Sequence, residues 1–112
     1  MNEKQARFTL CVAKLLTYAF KTNQPVILAE AYRTKEQAAI YAAQGKGIKN
    51  SAHCKKLAVD LFRVKDGSVT WNRDDYYDLA QYWKTLDPDA RAGLDFSNRD
   101  AVHFSFEHGG VK

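Results

Sequence analysis

The chain has only two cysteines, Cys11 and Cys54, among 112 residues. That is too few for a disulfide framework, so a reduced, inert thiol is the plain reading of each. It also lacks a long apolar run. The stretch from Leu10 to Phe20 is broken by Lys14 and Thr17, which argues against membrane insertion. Met1 to Arg7 is charged and leads into an amphipathic pattern instead of a signal-peptide core; the expectation is synthesis and folding in a cytoplasm. Repeats, low-complexity tracts and linkers are missing. So are a helix-turn-helix and an aromatic platform, which argues against a nucleic-acid partner.

What is present suits one small domain, residues 1–112. Hydrophobic residues make up 46% and aromatics 12%, enough for one modest core. Seventeen basic residues against 13 acidic give a net charge of +4. A basic balance favours polyanions such as nucleic acid, teichoic acid or an anionic envelope; dispersed along the chain, it also serves ordinary solubility. Lys46, Lys49, Lys55, Lys56 and Arg63 form a local basic stretch.

Residues 3–22 read as a helix, with Phe8, Cys11, Val12, Leu15 and Ala19 on one stripe. Asn23 and Pro25 end it. Residues 25–31 suit a strand. Thr34 is placed as the cap of a second helix, residues 35–43, with Gln37 completing a capping box. Residues 44–56 read as a loop. Residues 57–64 alternate as a strand: Leu57, Val59 and Leu61 point one way, Ala58, Asp60 and Phe62 the other. Asp66-Gly67 signals a hairpin into residues 68–71. Asp74 or Asp75 starts a third helix carrying Tyr76, Leu79, Ala80 and Trp83. Residues 86–98 are irregular, and a last strand covers residues 102–106. A hairpin without regular βαβ alternation predicts an α+β fold, a small antiparallel sheet flanked by helices.

Two histidines and two carboxylates stand out within this frame: His53, Asp60, Asp100 and His103. Two imidazoles and one carboxylate can hold zinc with a coordination position left open, and a second carboxylate can act as base on water there. Arg33 could polarise a carbonyl or hold an oxyanion. Ser51 could orient the loop through a hydrogen bond. Each has a plainer reading. A lone histidine is commonly a hydrogen-bonded polar residue, and Arg33 could pair with Glu30 or Glu36. Asp100 could be a turn residue, with Asp95 as a competing base. His108 is read as a non-ligand, and Cys54, next to His53, as a weaker ligand candidate. Asp60 is harder to set aside, because an unpaired carboxylate in an apolar strand is costly. A non-haem iron oxygenase also uses two histidines and a carboxylate, but the seven-residue spacing and short chain fit it poorly.

Ser51-x-His53-x6-Asp60 followed by Asp100-x-x-His103 resembles the zinc peptidases of the D-Ala-D-Ala carboxypeptidase and L-alanyl-D-glutamate endopeptidase family. Glu30-Ala-Tyr-Arg-Thr-Lys-Glu-Gln-Ala-Ala resembles its arginine segment. Gly45-Lys-Gly-Ile-Lys-Asn-Ser and His103-Phe-Ser-Phe-Glu-His look most like a small phage endolysin branch. The resemblance covers residues 25–112. It implies a fold like that of hedgehog and D-Ala-D-Ala peptidases. It implies one Zn²⁺ per chain on His53, Asp60 and His103, Asp100 as general base and Arg33 as the transition-state cation. The implied substrate is the peptidoglycan stem peptide, and the implied role is host lysis by a phage endolysin. A monomer is expected, acting on the cell wall in the periplasm after export through a holin-type partner. The alternative is a catalytically inactive, metal-containing wall-binding module of the same fold. One position departs from the pattern: Lys56 stands where the family commonly has glycine, so a positive φ there would carry strain.

Overall fold

The computed structural model describes residues 1–45 and 51–112. The first helix, α1, spans Asn2–Lys21, and buries Phe8, Cys11, Leu15 and Ala19. These are four members of the expected stripe; the fifth, Val12, packs partly buried at its margin. Asn23 then adopts φ 60, which breaks the helical path before β1, Val26–Leu28. Helix α2 covers Lys35–Ala43, and the Thr34 hydroxyl accepts from the Gln37 N–H as its N-cap. The Gln37 side chain makes no reciprocal bond among the described residues, so the capping box is half formed.

Strand β2, Ala58–Lys65, is the centre of the sheet. It turns into β3, Ser68–Val69, through Asp66 at φ 54 and Gly67 at φ 81. Two consecutive left-handed residues are what a two-residue hairpin with native strand twist requires. Helix α3, Tyr77–Lys84, follows. It is entered through a 3-10 turn, Arg73–Tyr76, and the Asn72 side chain accepts from the Asp74 N–H. Asn72 is therefore the cap, and the helical path begins earlier than Asp74 or Asp75 would place it.

Residues 86–98 are more regular than expected. They hold β4, Ala90–Ala92, and a 3-10 turn, Gly93–Asp95. The last strand, β5, is His103–Phe106. The sheet order is β1-β2-β5-β4, with β3 on β2, and every pairing is antiparallel. The α+β expectation agrees with this arrangement.

Register separates the two faces. Val59 pairs with Phe104, and Phe104 with Ala92, and all three enter the core. On that side α1 and α3 close over the sheet. Phe8 meets Trp83 edge-on at 5.7 Å and Phe106 at 5.3 Å. The Trp83 indole N–H donates to the carbonyls of Arg91 and Ser105, so a fully buried tryptophan leaves no polar atom unpaired. Asp60 and His103 are also direct partners, one residue out of phase with this pattern. They therefore share the face opposite the helical core.

Candidate metal centre

The Asp60–His103 pairing delivers two of the expected site residues side by side. His53 arrives from a 3-10 turn, Ala52–Lys55, capped by the Ser51 hydroxyl accepting from the His53 N–H at 3.2 Å. Lys56 ends the turn at φ 57, ψ 37. This left-handed residue redirects the chain into β2, and it is the position where glycine carries no steric cost.

His53 and His103 are buried, and Asp60 is half-buried. His53 Nε2 lies 3.2 Å from Asp60 Oδ1, and His103 Nδ1 lies 3.5 Å from the same oxygen. One ligand atom from each residue falls within 4.8 Å of the others. Zinc–nitrogen and zinc–oxygen bonds of about 2.0–2.1 Å in a tetrahedron give ligand–ligand edges of roughly 3.3 Å. The two measured separations bracket that edge.

The tautomer of His53 sharpens the argument. Its Nδ1 lies 3.0 Å from the Ala31 carbonyl oxygen. A carbonyl can only accept, so Nδ1 carries the proton. In the neutral ring Nε2 is then a bare lone pair facing a carboxylate oxygen. Either a second proton or a cation must lie between them. Asp60 Oδ1 is buried without a partner of hydrogen-bonding geometry among the described residues, as is His103 Nε2. One cation shared by Nε2, Oδ1 and Nδ1 relieves both short approaches at once. The donor set therefore fits zinc, with the Ala31 carbonyl as the outer partner that fixes ring orientation.

The charges are strongly coupled. Burial would lower the His53 pKa, but Asp60, the Ala31 carbonyl and Glu30 outweigh it and raise it from its ordinary value. Burial pushes Asp60 up, yet the two facing imidazoles bring it down to about 2. Asp100 is raised, first by burial and then by the charge of Asp60, against the pull of His103, His53 and Arg33.

Asp100 and Arg33 line the same cleft as the three ligand candidates, an open cavity of ≈ 700 Å³. Arg33 makes the pairing that its sequence position allowed, to Glu30. It is not a surface pair: the Arg33 side chain is 13% exposed, and its guanidinium lies over the Tyr41 ring at 5.1 Å. Asp95 is also on the wall, but Lys84 holds it at 2.7 Å. Glu107 pairs with Arg91, and His108 Nδ1 faces Lys4 Nζ; both lie away from the cluster. The Cys54 thiol points to the Thr34 carbonyl and is not in the ligand group. Lys46 and Lys49 of the basic stretch lie outside the described residues.

Three contributors were not singled out from the sequence. The backbone from Ala29 to Arg33 braces the site: the Asp60 N–H donates to Glu30, the Ala29 N–H to Asp60 and the Arg33 N–H to His53. Glu30 also places Oε1 3.7 Å from His53 Nδ1. Gly93 is the third. Its carbonyl accepts from the Asp100 N–H, and a Cβ there would fall 2.1 Å from the Asp100 carbonyl oxygen and 2.7 Å from His103 Cβ. Glycine is needed because the Asp100–His103 turn lies directly against the backbone. An isolated Gly-Leu-Asp in a polar stretch was the signal available.

No known family profile matches the sequence, and no curated protein does. Solved structures do match. The crystal structure of Serratia marcescens L-Ala D-Glu endopeptidase ChiX has a TM-score of 0.75 at 20% identity, covering 89% of this chain and 77% of that one. The chain shares its fold. Vancomycin resistance D,D-pentapeptidase VanY from the VanB-type cassette, a mutant in complex with Zn(II), has a TM-score of 0.61 at 19% identity. That match covers 89% of this chain and 70% of VanY. The α+β fold expected from the motif is thus the fold observed, shared with ChiX and VanY.

Proposed function

We propose that the chain is a single-domain, zinc-dependent peptidase acting on the stem peptide of bacterial peptidoglycan. The observation that carries this reading is the His53–Asp60–His103 cluster, whose facing His53 Nε2, Asp60 Oδ1 and His103 Nδ1 one cation would satisfy together. Support comes from the activities named for ChiX and VanY, an L-Ala D-Glu endopeptidase and a D,D-pentapeptidase, and from the zinc in VanY.

His53, Asp60 and His103 would hold one zinc ion, which when bound would supply Lewis acidity within the cleft. Asp100, on the wall of the same cleft, would be the group that takes a proton from the attacking water and passes it to the leaving amine. Arg33 presents a fixed cation to the carbonyl oxygen where negative charge develops. Glu30 and Tyr41 keep the guanidinium in place. Ser51 and the Ala31 carbonyl hold His53. The biological setting we infer is host lysis by a phage endolysin, acting as a monomer after export through a holin-type partner.

The test is incubation with purified peptidoglycan and mass spectrometry of the products. Release of stem peptides or of terminal D-alanine, abolished by a chelator and restored by zinc, is the expected result. Stoichiometric zinc with intact peptidoglycan would instead make the chain a wall-binding module.

A further inference from the structure

One wall of the metal cleft lies outside the proposed catalytic groups. It is built from two turns. The first runs from Phe96 to Arg99, whose N–H donates to the Phe96 carbonyl, and it sets Ser97 and Asn98 on the cleft. The Gly93 carbonyl accepts from the N–H of Phe96 as well as that of Asp100, so this wall and the proposed base share one anchor. The second turn is Gly109-Gly110, at φ 57 and φ 79, closed by paired backbone hydrogen bonds between His108 and Val111. Two left-handed residues reverse the chain tightly. Lys4 ties the base of this turn to α1, donating to the Glu107 carbonyl at 2.6 Å and facing His108 Nδ1. The reversal returns Val111 and Lys112 to the cleft. There the Lys112 ammonium lies over the Phe96 ring, 5.3 Å from its centroid, and that ring packs against the His103 ring at 5.4 Å.

The charges on the cleft are unbalanced. Asp95 is held by Lys84, and Arg33 by Glu30. Lys112 is the one lysine or arginine lining the cleft without a carboxylate partner among the described residues. A partnerless lysine is ordinary on a surface; here two backbone turns carry it into the cleft beside a metal-ligand candidate. We propose that Lys112, backed by Phe96, selects substrates by a free carboxylate on the residue that leaves when the peptide bond is cut. This rests on the peptidase reading and names the group on the substrate that the site selects. A stem peptide offers that group at either bond. D-glutamate, which continues through its side chain, keeps its α-carboxylate, and a terminal D-alanine keeps its own. In both, the carboxylate stands on the carbon next to the scissile nitrogen, within about 5 Å of the attacked carbonyl. It therefore stays inside the cleft when that carbonyl is at the metal cluster. Lysine meets it as a point charge on a flexible stem. The Phe96 ring excludes water from one side of the ammonium, which strengthens the pair over a fully solvated one. A neutral amide in the same place, as in D-isoglutamine, would leave Lys112 without a partner.

NMR titration of the zinc-loaded chain tests this without catalysis. The ligands are leaving-side fragments in acid and amide form: γ-linked D-Glu-L-Lys against D-isoGln-L-Lys, and D-alanine against D-alaninamide. The acid should bind roughly tenfold more tightly than its amide. Lys112→Gln should abolish that difference, and Lys112→Arg should retain most of it. A merely structural role for Lys112 would shift acid and amide alike. The pair that shows the preference identifies the residue that leaves. Equal binding of acid and amide in both pairs would overturn the proposal, as would a preference that survives Lys112→Gln or no binding of any fragment. Because no bond is cut, the two readings fail separately. A preference for the acid in a chain that leaves peptidoglycan intact would sink the peptidase reading and keep the carboxylate subsite. Hydrolysis of peptidoglycan with equal binding of acid and amide would sink the subsite alone.

Discussion

Gly93→Ala is the substitution that the geometry condemns most directly. The added Cβ would meet the Asp100 carbonyl oxygen at 2.1 Å and His103 Cβ at 2.7 Å. Neither is the far end of a flexible side chain, so backbone must move by roughly 1 Å, at a cost of about 2 kcal/mol. At about 4 °C per kcal/mol for a domain of this size, Tm should fall by about 8 °C. The functional loss should be larger. The Asp100 carbonyl accepts the His103 N–H, so pushing it aside displaces the proposed base and a proposed ligand together. A 1 Å misplacement of reacting groups can cost about 10²-fold in rate. Gly67→Ala is the control. Gly67 sits at φ +81 with nothing near its missing Cβ, so it should lose about 1 kcal/mol through backbone strain alone. The assays are thermal melting, zinc titration and stem-peptide kinetics. If Gly93→Ala binds zinc and turns over like the parent, the 93–103 turn does not seat the site, and the reasoning is wrong.

Four further outcomes follow from the same geometry. His103→Ala should lose most of its zinc and all activity; stoichiometric zinc by elemental analysis would remove His103 from the site. Asp100→Asn should keep zinc and lose about 10²-fold or more in rate, since an amide cannot take the proton; near-parental turnover would give the role to another group, such as Asp95. Arg33→Lys should cost roughly 3 kcal/mol, mostly in kcat, because an ammonium cannot reproduce the planar fork. An unchanged rate with intact folding would reduce Arg33 to the partner of Glu30. Lys56→Gly should gain up to about 1 kcal/mol in chemical denaturation by relieving the left-handed residue. That gain is offset in part by loss of the Lys56–Tyr32 contact at 5.2 Å. Lys56→Ala should gain nothing.

Much of this protein was readable from local pattern. The α1 stripe obeys the helical period, the β2 alternation separates Leu57, Val59 and Leu61 from Asp60, and Asp66-Gly67 specifies its own turn; each depends on residues adjacent in the chain. The ligand candidates were readable through family resemblance, because metal chemistry restricts residue types. Strand β4 was not. It is three residues long with Arg91 in its middle, too short for a period, and only pairing with β5 defines it. The third helix is entered through a 3-10 turn capped by Asn72, a choice that Asp74 and Asp75 obscured. The role of the Ala31 carbonyl left no trace at all, since any residue supplies the same oxygen. Gly93 and the burial of Arg33 were likewise decided in three dimensions. What sequence alone determined is which groups can bind, titrate or turn. Tertiary structure decided which backbone atoms hold them, because main-chain donors and contact distances are common to every residue and become specific only when distant segments meet.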